Sequence, residues 1–434
     1  MEKEDNKFDV AVIGAGPAGM MAAGAAAESG AKVILIEKNK QLGRKLLLTG
    51  NSRCNITNAE FNLRKLVENY GKDGKFLFHA FFVFGPKKVI NFFEGLGVKT
   101  KTEKDNRVFP ASEKAVDVLN ALKRYLEKNN VNISLDSPIS RVIFKDNPPS
   151  RKASEGQRKI EKLVMGDKEI IAKKYIFCTG GKTYPVTGST GDGFRWARDL
   201  GHSISDLSPA LVPIKVKPAC RQAGEKWVKD LQGLALKDVK ISVLQKNKKH
   251  FQEMGDILFT NFGLSGPAIL NISKSVGKLL KQGEVKLYLD LFPNLNIEDL
   301  DKKIKEKINK NPKRFVRSFL ADFMPQRFVA VFIKYLGIDV NKQVNNITKK
   351  ERKVIAKLLK NIEFVATELL GFDLAMVTSG GVLLKEIDDK TMKSKIIDNL
   401  FFAGEIIDVD GKTGGFNLQA CWSTGYLAGK SAIN

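Results

Sequence analysis

The sequence predicts an α/β protein whose nucleotide-binding sheet is assembled from distant parts of the chain and interrupted by an inserted β-rich domain and a helical subdomain. Three observations carry this prediction: a strand, glycine turn, helix and strand at the N-terminus, two later apolar strands that each run into glycine, and a change of texture between them. The 434 residues are 43% hydrophobic and 28% charged, which suits two or three domains with sizeable cores and argues against disorder.

The first element is "FDVAVIGAGPAGMMAAGAAAESGAKVILIEK", residues 8–38, an apolar strand, an alanine-rich helix ending near Gly30 and a β-branched strand. Gly14, Gly16 and Gly19 form GxGxxG between strand and helix, with Ala15, Pro17 and Ala18 completing the turn. Such glycines allow a tight turn and close backbone approach to a pyrophosphate, which the helix N-terminus meets with N–H groups and its positive dipole end. Glu37, followed by Lys38, ends the second strand and is placed to accept from ribose hydroxyls. A carboxylate there argues against a 2′-phosphate, leaving FAD or NAD.

The later strands decide between these two. "KKYIFCTGG" delivers Thr179, Gly180 and Gly181, and "NLFFAGE" delivers Gly404 and Glu405, each at the carboxyl end of a short apolar run. A motif at the extreme N-terminus completed by a glycine loop near the C-terminus is the layout of FAD-binding domains of the glutathione-reductase type. FAD is the expected cofactor.

The expected boundaries follow. Residues 1–192 and 373–434 form the FAD-binding domain, 193–295 an inserted β-rich domain of short alternating strands, and 296–372 a basic helical subdomain broken at Pro312 and Pro325. Residues 151–170 read as a polar hairpin excursion.

The acidic, polar N-terminus contains no secretory signal, and no run of roughly 18 apolar residues could cross a bilayer. A cytoplasmic protein without membrane attachment is expected. The four cysteines and three histidines are scattered without metal-ligand spacing, so neither a metal site nor a disulfide framework is expected. The net charge of +24 favours a polyanionic partner such as nucleic acid or anionic lipid. Between residues 301 and 360 stand 17 Lys and Arg against 5 Asp and Glu, so half of the excess lies in this one segment. Lysines that merely solvate helix faces are the alternative explanation.

Several ordered blocks, "GAGPAGMMAA", "GRKLLLTGNSRCNITN", "RVFPASEKAVDVL", "GGKTYPVTGSTGDGFRWARDLGH", "LFTNFGLSGPAIL", "VTSGGV" and "FFAGEIIDVDGKTGGFNLQACWSTGYLAG", resemble the YhiN/BaiN-type family of bacterial NAD(P)/FAD-dependent flavoproteins. They span nearly the whole chain. The resemblance implies the same discontinuous fold and two kinds of alkene reduction, of a uridine C5–C6 bond in large-subunit (23S) ribosomal RNA or of a steroid-like or bile-acid enone. Amine oxidation is a further small-molecule activity it suggests, and a non-enzymatic flavin-containing RNA-binding protein is a third reading. NADPH or NADH is the expected transient electron donor, because no second GxGxxG unit exists to hold one. Ribosomal RNA is the expected partner, gripped by the cationic segment while one base is unstacked.

The resemblance also implies site residues. Arg44 and Lys45 face anionic groups of the cofactor, Thr49, Gly50 and Asn51 bring backbone near the pyrophosphate or the isoalloxazine ring, and Gly415 and Asn417 line the flavin from the other side. Ile139 completes the cofactor set. Both reductions put a hydride on the β carbon of an enone and need an acid for the α carbon. Cys54 is the first candidate, since a thiol with pKa near about 8.5 is mostly protonated at neutral pH. A guanidinium from Arg53 against the sulfur would undo this by favouring thiolate. Tyr184 is the reserve acid. "FLFHAFFVFGP", residues 76–86, is a possible apolar wall for a steroid or a buried helix. The chain departs from the family pattern at Asn261, where histidine is expected, at Lys393 and at Cys421, which puts any acid–base role of the first position in doubt.

Overall fold

The computed structural model describes residues 7–146, 158–218, 227–339 and 341–433. The chain divides into two compact units, residues 1–208 with 376–434, and residues 209–375. The first boundary lies past the expected 192, because the helix Asp192–Asp199 and the buried His202 after it pack with the first unit. His202 stacks edge-on against Phe402, with ring centroids 4.9 Å apart, and its Nδ1 and Nε2 meet Glu386 and Ser394.

Five parallel strands form the spine of the first unit, in the spatial order Asn132–Ser134, Val33–Ile36, Lys7–Ile13, Lys168–Phe177 and Leu400–Phe402. Strand order reverses beside the first strand, so the carboxyl ends there open a crevice. Besides Lys7–Ile13, Lys168–Phe177 has two further partners: its first half pairs antiparallel with Arg158–Met165 and its second half parallel with Leu400–Phe402. The expected hairpin at 151–170 is strand and turn from Arg158 onward, and residues 151–157 lie outside the described residues.

The alanine-rich helix Pro17–Glu28 is buried along most of its length because it lies against the C-terminal helix Phe416–Ser431 as well as the sheet. Small residues make this possible. A Cβ on Gly425 would stand 2.4 Å from the Ala18 carbonyl oxygen, and one on Gly429 2.4 Å from that of Ala22. The phenylalanine-rich stretch is a 3-10 turn and a short helix, Phe78–Val83, that bury Leu77, Ala80 and Phe81 in the same core and leave Phe78 and Phe82 exposed.

The second unit is a closed antiparallel barrel, in the order Ile214–Pro218, Gly263–Ser265, Lys248–Phe259, Ala235–Gln245, Val285–Asp290 and Ile362–Leu369. The expected split into a β-rich domain and a helical subdomain is corrected by its closing strand, Ile362–Leu369, which comes from within the supposedly helical segment. The supposed β-rich segment in turn contains the helix Pro267–Leu280. One core runs through both. Phe259 of the barrel lies 5.6 Å from Phe328 of the helix Gln326–Leu336 and 6.3 Å from Phe364 of the closing strand. Hydrophobic burial of this kind does not respect a boundary drawn on periodicity.

The helices Ile297–Lys310 and Lys349–Lys360 sort their charges. Lys307 and Arg314 pair with Asp322, Lys342 with Glu351, and Arg352 with Asp301, all partly buried. The remaining cations between residues 301 and 360, apart from Lys360, are exposed. Among the described residues no single helix is long and apolar enough to cross a membrane.

Candidate cofactor and active site

A cavity of about 320 Å³ opens at the carboxyl edge of the parallel sheet. It collects the ends of all five strands: Ile13 to Ala18, Ile36 to Asn39, Ser137 to Ile139, Cys178 to Gly180, and Gly404 with Glu405. This is where an open α/β sheet places its ligand.

The three motif glycines have different physical tasks. Gly14 has φ 96°, and its missing Cβ would stand 2.6 Å from the Cys178 carbonyl oxygen of the neighbouring strand. Gly19 lies beneath the turn, with the Gly14 carbonyl oxygen 1.8 Å from where its Cβ would be, so any side chain would part helix and strand. Gly16 is ordinary in φ and faces open space, with nothing within 4 Å of a Cβ. Nothing in the protein itself stands in the way of a side chain there.

Glu37 is buried, with one carboxylate oxygen accepting from the Ala15 N–H at 2.8 Å and the other from the Asn39 N–H at 2.9 Å. These bonds lock the acid to the glycine turn and leave further lone pairs for a ribose. Arg44 donates to the Asn39 side chain at 2.8 Å. Lys38 pairs with Asp192 at 2.7 Å, and burial of that carboxyl is outweighed by Lys38 and Thr190, which hold it below its ordinary range. Lys45 pairs with Glu405 at 2.9 Å and donates to Thr183 at 2.6 Å. Lys45 lines the cavity as expected, and its ammonium also ties two loops together through Glu405 and Thr183.

Several expected residues do not line this cavity. Thr49, Gly50 and Asn51 belong to a loop in which Gly50, Asn51, Ser52 and Cys54 all have positive φ, between 56° and 64°. Non-glycine residues in this region store of order 1–3 kcal/mol each, which the packing below must hold. The Cys54 thiol is in that packing. It has no exposed surface, is bonded by Thr49, and burial pushes it up to about 12. Arg53 turns away from it, donating to Glu103 at 2.5 Å and Glu113 at 3.2 Å with its guanidinium 4.1 Å above the Phe109 ring. The thiol thus keeps its proton but does not reach a cavity surface. The assignment of Cys54 as an acid in contact with substrate is corrected on that ground, since a donor must touch the atom it protonates.

Asn417 is corrected too. Its amide donates to the Gly411 carbonyl at 2.9 Å and its oxygen accepts from the Gly411 N–H at 2.8 Å, closing a loop rather than offering a donor outward. Gly415 fits against the Thr57 carbonyl oxygen, 2.4 Å from where a Cβ would be. Gly181 is packed on Thr378 and Glu405 and lies behind the wall. The two loops expected on opposite sides of a flavin are in direct contact, with Asn58 donating to the Gly414 carbonyl at 3.1 Å and Trp422 to the Ile56 carbonyl at 2.9 Å. Tyr184 is half-buried with φ 50°, on the segment that supplies Thr187, Gly188 and Ser189 to the wall.

Sequence reasoning missed Asn39, Asp192 and Trp196. The last two stand one helical turn apart at the start of "DGFRWARD", where a glycine before an amphipathic run marks a helix N-terminus. Trp196 lines the cavity, and its buried Nε1 has no partner among the described residues; Thr179 Oγ1 shares that condition. Buried donors are nearly always satisfied, so a ligand with acceptor atoms fits here. An open helix N-terminus, a buried carboxylate at the end of the neighbouring strand and unpaired donors together suit a dinucleotide.

The family model described as the HI0933-like protein Rossmann domain matches residues 8–431. The chain belongs to this family. Over 428 residues it is 30% identical to the 3-dehydro-bile acid delta(4,6)-reductase of Clostridium scindens, covering 98% of each chain. It is likewise 30% identical over 420 residues to the ribosomal RNA dihydrouridine synthase of Haemophilus influenzae, covering 97% of each. The 3-ketosteroid delta1-dehydrogenase of Sterolibacterium denitrificans shares the fold, with a TM-score of 0.54 at 12% identity over 99% of both chains. As an HI0933-like protein, the chain is an FAD-dependent oxidoreductase. Gly14 to Ala18, Glu37, Lys38, Arg44, Lys45, Ile139, Thr179, Gly180, Trp196, Gly404 and Glu405 line the cavity and could hold such a cofactor.

Proposed function

We propose that the protein reduces a conjugated carbon–carbon double bond at the expense of NADPH, and that its substrate is a uridine of 23S ribosomal RNA. Bound FAD supplies the hydride chemistry. The observation that carries the substrate class is charge. Lys302, Lys305, Lys310, Lys313, Arg317 and Lys350 are among the exposed cations of a segment whose acids are largely consumed by half-buried partners, an arrangement that suits a phosphate backbone.

A steroid-like enone is the second reading, favoured by the equal likeness to the bile-acid reductase and by Phe78 and Phe82, which are 43% and 68% exposed. Uracil and such enones present the same C=C–C=O unit, so both readings need one proton returned to the α carbon. We assign it to the Tyr184 hydroxyl, the one of the two acid candidates whose segment borders the cavity.

The test incubates the FAD-loaded protein and NADPH with unmodified 23S RNA fragments or with a steroid enone, and maps dihydrouridine in ribosomal RNA of a deletion strain. Loss of one dihydrouridine in the strain and its formation in vitro are expected. An unchanged map together with enone reduction overturns the RNA reading. Tyr184→Phe should lower product formation at least about tenfold with FAD still bound, while Cys54→Ala retains it. The reverse order restores Cys54 to the acid role.

A further inference from the structure

We propose that the second unit carries a phosphate-binding site on the outer face of its barrel, separate from the cofactor cavity. Alternation along Ala235–Gln245 turns Val239, Ile241 and Val243 inward and Lys240, Ser242 and Leu244 outward. The register pairs Lys240 with Asp290 and Ser242 with Tyr288 on the neighbouring strand. Lys360 and Asn361, at the end of the helix Lys349–Lys360, and Lys249 complete the walls of a cavity of about 340 Å³.

The chemistry of this cavity is one-sided. Three ammonium groups and one carboxylate line it, and two of the three share that carboxylate: Lys360 and Lys240 lie 2.9 and 3.2 Å from Asp290. Asp290 also accepts from the Phe292 N–H at 2.9 Å, and Lys360 donates to the Phe292 carbonyl at 2.7 Å, so acid and base are fixed from the strand end. Among the described residues Lys249 bonds the neutral Gln252 and no carboxylate. The Ser242 hydroxyl and the Asn361 amide have no partner among the described residues. The Tyr288 hydroxyl is occupied by Glu363 and contributes its ring as a wall. The carbonyls of Leu358 and Leu359, at the nearby helix end, are both bonded to backbone N–H groups, which mutes the negative end of that helix. The result is a surplus of donors and two net positive charges around a space that takes a tetrahedral anion. A phosphate monoester or diester supplies the acceptors and the charge the cavity lacks.

Two sources share this chemistry, the backbone of an RNA and the phosphates of a nicotinamide dinucleotide. The experiment titrates the full-length FAD-loaded protein with inorganic phosphate, with a short single-stranded RNA and with NADPH, in wild type and in Lys249→Gln, Lys240→Gln and Asp290→Asn. Loss of a lysine should weaken phosphate about three- to tenfold. Asp290→Asn removes the one repelling charge and should tighten it about tenfold. The same order of variants in the RNA arm identifies RNA as the source, with a shallower salt dependence for each lysine removed; the same order in the NADPH arm identifies the dinucleotide. Lys249 is exposed and Lys249→Gln folds whatever Asp290→Asn does. Phosphate affinity unchanged in Lys249→Gln and Lys240→Gln overturns the site. The phosphate arm does not depend on the substrate, so an inactive protein on ribosomal RNA leaves it standing.

Discussion

The two cavities balance charge in opposite ways. At the edge of the parallel sheet each lysine has its own carboxylate, Lys38 with Asp192 and Lys45 with Glu405, and the pairs hold loops in place. The N–H groups of the glycine turn, an indole and the Arg44 guanidinium, which among the described residues bonds the neutral Asn39, are left to meet the ligand. On the barrel, three lysines line a cavity with one aspartate, which pairs with two of them. A site that binds through preorganised backbone can neutralise its own ions, whereas a site that binds through charge must leave some unpaired.

The glycine turn offers the strongest way to break this contrast. Gly19→Val drives a side chain into the Gly14 carbonyl and should destabilise the first unit by at least about 3 kcal/mol, with loss of bound flavin absorbance and a lower unfolding temperature. Gly16→Ala meets nothing in the protein. It should leave the apoprotein within about 0.5 kcal/mol of wild type and still weaken FAD by at least about tenfold, read by flavin fluorescence during titration. Equal losses of stability in both would mean that Gly16 serves packing and not the ligand.

A smaller effect separates the lysines. Lys45→Met strands the half-buried Glu405 and should cost about 1–2 kcal/mol in urea denaturation, while Lys249→Met, on an exposed side chain without a carboxylate, should stay within about 0.5 kcal/mol. Similar costs would erase the distinction between paired and surplus charge.

Acid titration gives the smallest effect, one carboxylate in each unit. Lys393, and then Lys159, hold Asp398 at about 2, and Lys342 with the Thr348 cap holds Glu351 at about 2. A carboxyl depressed in the folded state contributes stability above its ordinary pKa, lost as pH falls from about 4 through about 2. Discounted for solvent, each is worth about 1 kcal/mol. Asp398→Asn and Glu351→Gln should each flatten stability between those pH values, followed by circular dichroism, and leave the slope near neutrality unchanged.

The dinucleotide turn was legible because its requirements are local. Gly14, Gly16, Gly19 and Glu37 are spaced by strand and helix geometry alone, and the apolar runs ending at Gly180 and Gly404 announce strands whose carboxyl ends must share one edge. The alanine-rich helix was equally plain, though its reason was not: Gly425 and Gly429, some 400 residues away, need Ala18 and Ala22 to be small.

What sequence could not decide was direction. Adjacency placed Arg53 beside Cys54, yet the backbone sends the guanidinium to Glu103 and Glu113 and the thiol into the core. Lys45 reads as a free cation until Glu405, 360 positions later, comes within 2.9 Å. Asn417 reads as an outward donor until its own loop consumes it. The closing barrel strand reads as helix in the sequence because Ile362–Leu369 follows a long run of helical lysines. The sequence by itself determined the elements, the cofactor class and the excess of charge, since these depend on spacing and composition. Which side chains are spent on one another and which remain for a ligand was decided by the tertiary structure, because hydrogen bonds and ion pairs depend on distances of a few ångströms between residues that are remote along the chain.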